Sequence, residues 1–312
     1  MDNDRIHALL IEPQEECFRR LCGVGTGPLT VSFEGYHRHA ILAEDRVFFF
    51  PRDASRVAGL RREAVILQAL AGRGVPAPLL QGHWHDSSVS PYPFIAVSRL
   101  PGHTWGSQEA TGTLAQVTSV LAGLGQAIAS WHQLDLRTLP RSVRRTSEHV
   151  TDFGRTVERT FLQEASRVAA QQLGFPARQA MLWLRALEPV AVMDPVFVHG
   201  DIHAGQILVD DALAVQGILD WETAGVGHPL KDFDFGEWGG GLFAWELHFD
   251  VLRQAMWETY NQARGGRLPS WRALHLFFCL VTIGALGQGG DLTAWQQARL
   301  SNTLAVLRRL EI

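Results

Sequence analysis

The chain has 312 residues, and of its 28 basic side chains only one, Lys231, is a lysine. A Schiff-base lysine or a phosphate loop ending in Gly-Lys-Ser/Thr would have to use Lys231 or be absent. A hydrophobic content of 46% and a charged content of 19% exclude a disordered chain, and a net charge of −4 gives no basic field for a nucleic acid.

The acidic start, Met1-Asp-Asn-Asp-Arg, lacks the basic and apolar regions of a signal peptide. From Pro28 to about Arg99 the pattern is strand-rich. Leu29–Phe33, Ala40–Leu42 and Arg46–Phe50 are short β-prone runs separated by Glu34-Gly-Tyr-His and Glu44-Asp. Ser55 to Ala71 reads as a helix, with Val57, Leu60, Ala64, Leu67 and Ala71 at helical spacing and Gly72 as a stop. The turn-rich Val75-Pro-Ala-Pro78 and a further strand, Phe94–Val97, follow, and Pro101-Gly102 punctuates the end of this half.

Beyond it the chain is mostly helical. Leu114, Val117, Leu121, Leu124, Ile128 and Trp131 step by three and four. Residues 155–190 read as two helices broken at Pro176, and 243–263 and 270–312 as helices ending the chain. Between them lies an irregular island, 194–240, in which Val196–Val198, Ile207–Val209 and Gly217–Leu219 each adjoin acidic residues. The order is a strand-rich lobe with one helix, a connecting segment, and a helical lobe carrying an acidic loop region. The junction between lobes is the default ligand site.

The charge is unevenly spread. Residues 1–102 hold 11 bases and 11 acids, whereas residues 191–250 hold 11 acids against Lys231 alone. That field suits a metal ion or a cationic substrate. Cys17, Cys22 and Cys279 are odd in number and lack zinc spacing, which fits a reducing cytoplasm. Leu274–Leu286 is broken by His275 and falls short of the roughly 20 residues a membrane span needs. His83-Trp-His85-Asp86 looks like a metal-hydrolase fragment, but no partner cluster follows it. Gly23-Val-Gly-Thr-Gly27, without a lysine, reads as a simple turn rather than a phosphate cradle. Lys231 reads as a surface charge.

Chemistry concentrates in the island. Val198-His-Gly-Asp-Ile-His-Ala-Gly-Gln-Ile-Leu-Val209 places Asp201 on a turn five residues before Gln206, and Gly217-Ile-Leu-Asp-Trp-Glu222 places Asp220 at the end of the next strand. A hairpin would bring both carboxylates to one mouth with a carboxamide between them. Phosphoryl transfer uses such a set: one carboxylate orients the attacking hydroxyl, and a second, with an amide oxygen, holds Mg²⁺.

These motifs resemble the aminoglycoside phosphotransferase and choline kinase-like family. The matching residues are His199-Gly200-Asp201, Gln206-Ile207-Leu208, Ile218-Leu219-Asp220-Trp221, Gly227-His228-Pro229 and Asp232-Phe233. Arg62-Glu63, Ser98–Gly102 and Leu124–His132 extend the likeness over most of the chain. The resemblance implies an α+β, two-lobed, protein-kinase-like fold, with an N-lobe over 1–98 and a C-lobe over 99–312. It implies a kinase that moves the γ-phosphoryl group of ATP or GTP, with Mg²⁺, to a hydroxyl of a small cationic acceptor such as an antibiotic. A monomer or homodimer without nucleic-acid or membrane partners is expected.

By the same resemblance Asp201 is the catalytic base, and Asp220 and Gln206 are the metal ligands. Ser98 to Leu100 receives the nucleobase, and the loop around Gly35 and Arg38 covers the phosphates. Glu63 is the helix carboxylate that pairs with a strand lysine. Glu222, Asp234 and Glu237 are candidates for binding a cationic acceptor. Trp238, Phe243, Trp245 and Phe249 read as core, or, with Asp234, Glu237 and Glu246 interleaved, as a cation pocket.

Three departures stand out. Gln206 replaces the usual asparagine, His228 replaces an aspartate after glycine, and Phe49 occupies the lysine position. Arg52, three residues on, would face away in a regular strand and would serve only if the chain bends at Pro51; Arg38 is the other candidate. The lysine-poor strand resembles that of viomycin phosphotransferase-like members. The rival readings are a nucleotide-binding module without catalysis, a kinase of a small hydroxylated metabolite, and a histidine-based metallohydrolase.

Overall fold

Alternation along Arg46–Pro51 (β3) sets the architecture of the first lobe. Phe48 and Phe50 point to one face and are buried among Phe18, Ile41 and Phe94, while Val47 and Phe49 point to the other. The computed structural model describes residues 10, 12–33, 37–107, 112–145, 148–234, 249–286 and 291–310. Within them, Thr30–Ser32 (β1), Arg38–Leu42 (β2), β3, Leu80–Trp84 (β4) and Phe94–Ser98 (β5) form one antiparallel sheet in the order β1-β2-β3-β5-β4. Helix α1, Glu12–Cys22, covers the first face through Phe18, whose ring meets that of Phe48 edge-on at 4.8 Å. Helix α2, Val57–Leu70, packs Leu60, Ile66, Leu67 and Leu70 into the larger core that also holds Ile95 and Val97.

Two of these elements, α1 and β4, lie outside the sequence expectations. Strand β4, Leu-Gln-Gly-His-Trp, has no apolar run and is drawn into the sheet by pairing with β5, with a register shift between Leu80 and Gly82. The expected helix from Ser55 begins instead as a 3₁₀ turn, Ala54–Arg56, capped by the Asp53 side chain on the Ser55 N–H at 2.8 Å.

In the second lobe, α3 (Leu114–His132) opens with a capping box between Thr113 and Gln116. It lies close against a helix spanning Phe249–Ala263, and Gly125 permits the approach, since any β-carbon there would collide with the Met256 carbonyl. Glu148–Thr156, Arg159–Gln172, Ala177–Ala191, Trp271–Leu286 and Ala294–Arg309 complete the helical body. The split near Pro176 is thus seen, while the short helix Glu148–Thr156 has no counterpart in the sequence reading.

The acidic island contributes short strands: Val196–Val198 (β7) pairs with Gly225–Gly227 (β10), and Ile207–Val209 (β8) forms a hairpin with Val215–Ile218 (β9). His103–Thr104 (β6) adds to the outer side of β8. The result is the expected α+β kinase-like arrangement, with α1 added to it: an antiparallel sheet packed by α1 and α2, then a mainly helical lobe carrying the hairpin. Among the described residues no helix is long and apolar enough to cross a membrane.

Candidate active site

Buried Asp232 holds the turn that carries Asp201. Its carboxylate accepts the backbone N–H groups of His199 at 2.9 Å and Gly200 at 2.8 Å, the Trp131 indole N–H at 2.8 Å, and the His132 ring at 3.0 Å. Burial pushes this carboxyl up, but hydrogen bonds, that of His132 foremost and that of the Gly200 N–H, help outweigh it and hold Asp232 below the usual carboxylate range. His199 is fully buried, with Nε2 2.9 Å from the Leu219 carbonyl. A carbonyl can only accept, so Nε2 carries the proton and Nδ1 accepts the Asp201 N–H at 3.4 Å. His199 therefore braces the loop. Gly200 has φ +87°, and a β-carbon there would sit 2.8 Å from Val150 Cγ2.

The β8–β9 hairpin brings the second half of the set to the same mouth. The Gln206 carbonyl accepts the Leu219 N–H at 2.9 Å, which sets Asp220 beside Gln206 across the hairpin. The Gln206 amide nitrogen points to Asp201 Oδ2 at 3.5 Å, at the outer limit of a hydrogen bond. Its Oε1 is buried and accepts no hydrogen bond. A buried acceptor without a donor is costly, and a cation satisfies it. Asp220 is held in the left-handed region at φ 65°, ψ 62°, a strained conformation of the kind that clusters at functional sites. Asp220 and Gln206 each offer an oxygen donor at this mouth, the donor type that Mg²⁺ prefers. Among the described residues no group of three or more His, Cys, Asp or Glu is placed to hold a metal ion, and His83 and His85 are not part of one.

Arg38 comes from β2 and spans the cleft. Its guanidinium pairs with Glu63 of α2 through Nη1 and with Asp220 Oδ1 at 3.2 Å through Nη2, and lies over the Phe49 ring at 3.9 Å. Burial disfavours the guanidinium charge, but Glu63, Asp220 and Glu222 more than offset this and push its pKa up. Burial in turn pushes the Glu63 carboxyl up against the pull of Arg38. Arg52 instead donates to the Phe33 carbonyl at 2.5 Å, so the chain does not turn it back at Pro51 onto Glu63.

The remaining candidates divide. The Ser98 and Arg99 N–H groups are taken by the carbonyls of Leu79 at 2.8 Å and Asp45 at 3.0 Å, and Leu100 packs against Gly217 of β9. Glu222 turns toward the first lobe: its carboxylate lies 3.8 Å from His37 Nε2 and faces Gly59. Asp234 sits 3.8 Å from Lys231 Nζ, and Lys231 is buried beside the Phe153 ring rather than a surface charge, because the turn Pro229–Phe233 packs inward. Gly35, Glu237, Trp238, Phe243, Trp245 and Glu246 lie outside the described residues, as does the side chain of Phe249. At the glycine-rich turn the Arg19 guanidinium donates to the Gly27 carbonyl at 3.1 Å, which makes the turn a closed one.

Two features carry more than their motifs suggested. His228 replaces the usual aspartate without losing its bond, because Nδ1 accepts the Leu230 N–H at 3.3 Å and Nε2 donates to Val190 O at 3.0 Å. Arg62, quoted only as a motif partner of Glu63, donates to the carbonyls of Glu222 at 3.1 Å, Ala224 at 2.5 Å, Arg145 at 2.7 Å and Ser142 at 3.0 Å. It ties α2 to the loops below. Its position next to Glu63, roughly 100° round the helix, was the available signal.

A kinase-like fold whose hairpin gathers Asp201, Gln206 and Asp220 below a cation on the first lobe defines a phosphotransferase. The chain belongs to the phosphotransferase enzyme family (APH), whose model matches residues 25–277. It is 27% identical over 237 residues to viomycin phosphotransferase of Streptomyces vinaceus, covering 72% of this chain and 77% of that one. It is 26% identical over 230 residues to acyl-CoA dehydrogenase family member 11 of Gallus gallus, spanning 70% of this chain but 27% of that longer protein. Its fold matches the GDP complex of aminoglycoside 2'-phosphotransferase-IIIa with a TM-score of 0.56 at 16% identity, over 96% of this chain and 98% of that one. Macrolide 2'-phosphotransferase type I matches with a TM-score of 0.53 at 22% identity, over 95% and 96%.

Proposed function

We propose that this phosphotransferase moves the γ-phosphoryl group of ATP or GTP to a hydroxyl of a small cationic acceptor, an aminoglycoside or a tuberactinomycin-like peptide, and so confers resistance to it. One observation carries the reading: a single hairpin mouth holds a carboxylate on a braced turn, a carboxamide whose buried oxygen lacks a donor, and a second carboxylate in a strained left-handed turn. Asp201 accepts the proton of the attacking hydroxyl and orients it, because its backbone is pinned through His199 and Asp232. Asp220 and Gln206 hold Mg²⁺, which, when bound, shields the phosphate charges. The nucleobase is met at Leu100, since the neighbouring N–H groups are engaged.

The acceptor class rests on the acidic field of residues 191–250 and on the relatives: one is named for viomycin, and a neighbouring aminoglycoside phosphotransferase is described with kanamycin. Glu222 faces the wrong lobe to serve the acceptor, which leaves Asp234 as the described candidate. The decisive experiment incubates the protein with Mg²⁺, labelled ATP or GTP, and a panel of hydroxylated cationic antibiotics and amino-alcohol metabolites. Transfer to a panel member is expected. No transfer and no nucleotide hydrolysis would leave a nucleotide-binding module without catalysis.

A further inference from the structure

We infer that Arg38 is the phosphate anchor of this enzyme, delivered from β2 rather than from β3, with Phe49 serving as its shelf. The inference rests on the kinase reading above and names the group that reading lacks. The β2–β3 register explains the exchange. Ala40 pairs with Phe49 and Arg38 with Pro51, so Arg38, Ala40, Phe49 and Pro51 share one face of the sheet. That is the face turned to α2 and the hairpin. Arg52 follows Pro51 by one residue, and its side chain leaves on the other side to reach Phe33 O.

The geometry at Arg38 is that of a clamp. Glu63 holds one nitrogen, Asp220 holds another, and the ring of Phe49 supports the guanidinium plane at 3.9 Å. A lysine at position 49 would bring a second positive charge against Arg38, whereas a phenylalanine offers a flat, uncharged surface. Arginine presents five donors in a planar fork that matches phosphate oxygens two at a time, so it can keep Glu63 while turning its other edge to a phosphate. The phosphate would take the Nη2 edge from Asp220 and free that carboxylate. Two other cations are committed elsewhere: Arg62 to four carbonyls and Lys231 to a buried site beside Asp234 in the second lobe.

The test measures nucleotide affinity by calorimetry, with ATP and GTP at fixed Mg²⁺, rather than turnover. Arg38→Ala is expected to weaken binding at least tenfold, by more than Arg52→Ala does, and Phe49→Lys added to Arg38→Ala is expected to recover most of the loss. Because Arg38→Ala leaves Glu63 buried without its cation, an Arg38→Gln/Glu63→Gln pair, checked by circular dichroism, removes both charges together and must show the same loss. Wild-type affinity in either folded variant, or a larger loss at Arg52, would overturn the anchor while leaving the kinase reading in place. A wild-type chain that binds neither nucleotide would overturn both.

Discussion

The His132 ring and the Asp232 carboxylate meet at 3.0 Å with neither side chain exposed to solvent. The other ring nitrogen, Nδ1, lies 2.8 Å from the Tyr260 hydroxyl. The carboxylate can only accept, so Nε2 is the protonated nitrogen and Tyr260 donates to Nδ1. Burial, partly opposed by Asp232, holds the His132 pKa below its ordinary 6.5. The turn that carries Asp201 therefore hangs from a neutral histidine and an ionised aspartate.

A pH dependence follows, and its sign can be worked out. Below pH 6.5 the unfolded chain protonates His132 before the folded one does, so stability falls on acidification from there downward. Asp232, depressed in the fold, adds a loss of the same sign at lower pH, whereas Glu63 and Glu222, raised by burial, act in the opposite sense. Comparison with His132→Asn isolates the histidine. Between pH 7.5 and 5.5 the melting temperature of the wild type should fall further than that of the variant; parallel curves would contradict a buried neutral histidine.

Arg62 should be structural out of proportion to its exposure. Losing a guanidinium bound to four carbonyls is expected to cost at least about 2 kcal/mol, seen as a lower urea midpoint for Arg62→Ala. Arg62→Lys should recover little, since one ammonium cannot reach four acceptors in the arginine fork. Full recovery by lysine would show that charge alone matters there.

Gln206→Leu keeps side-chain bulk but removes the oxygen that lies buried without a donor. The protein should fold with near-normal stability, because an unsatisfied buried acceptor is removed rather than created. The Mg²⁺ concentration needed for half-maximal transfer should rise at least tenfold. An unchanged Mg²⁺ requirement would exclude Gln206 as a ligand.

Asp201→Ala should lower transfer by about 10²–10⁴-fold, the usual contribution of a general base, while nucleotide affinity stays near wild type. The side chain of Asp201 contacts only the Gln206 amide nitrogen among the hydrogen bonds of the described residues, so folding should be little affected. A rate within about tenfold of wild type would assign the base elsewhere.

Much of this protein is determined by short-range pattern. Asp201 and Gln206 come just before the first strand of one hairpin and Asp220 just after its second, and the period-two alternation of Arg46–Pro51 already turned Arg52 away from Phe49. Both depend on neighbours in the chain, where backbone geometry alone decides which side a residue faces. The absence of a lysine at 49 was equally plain. What took that place was decided only by tertiary structure. Arg38 meets Glu63 across 25 residues and Asp220 across 182, contacts set by strand register and by how one lobe packs on the other. The same holds for Lys231, a lone charge in the sequence that the turn Pro229–Phe233 folds inward, and for Glu222, whose carboxylate faces Gly59 of α2. Long-range pairing leaves no periodic trace in the chain, so the missing cation could be noticed in the sequence but located only in the fold.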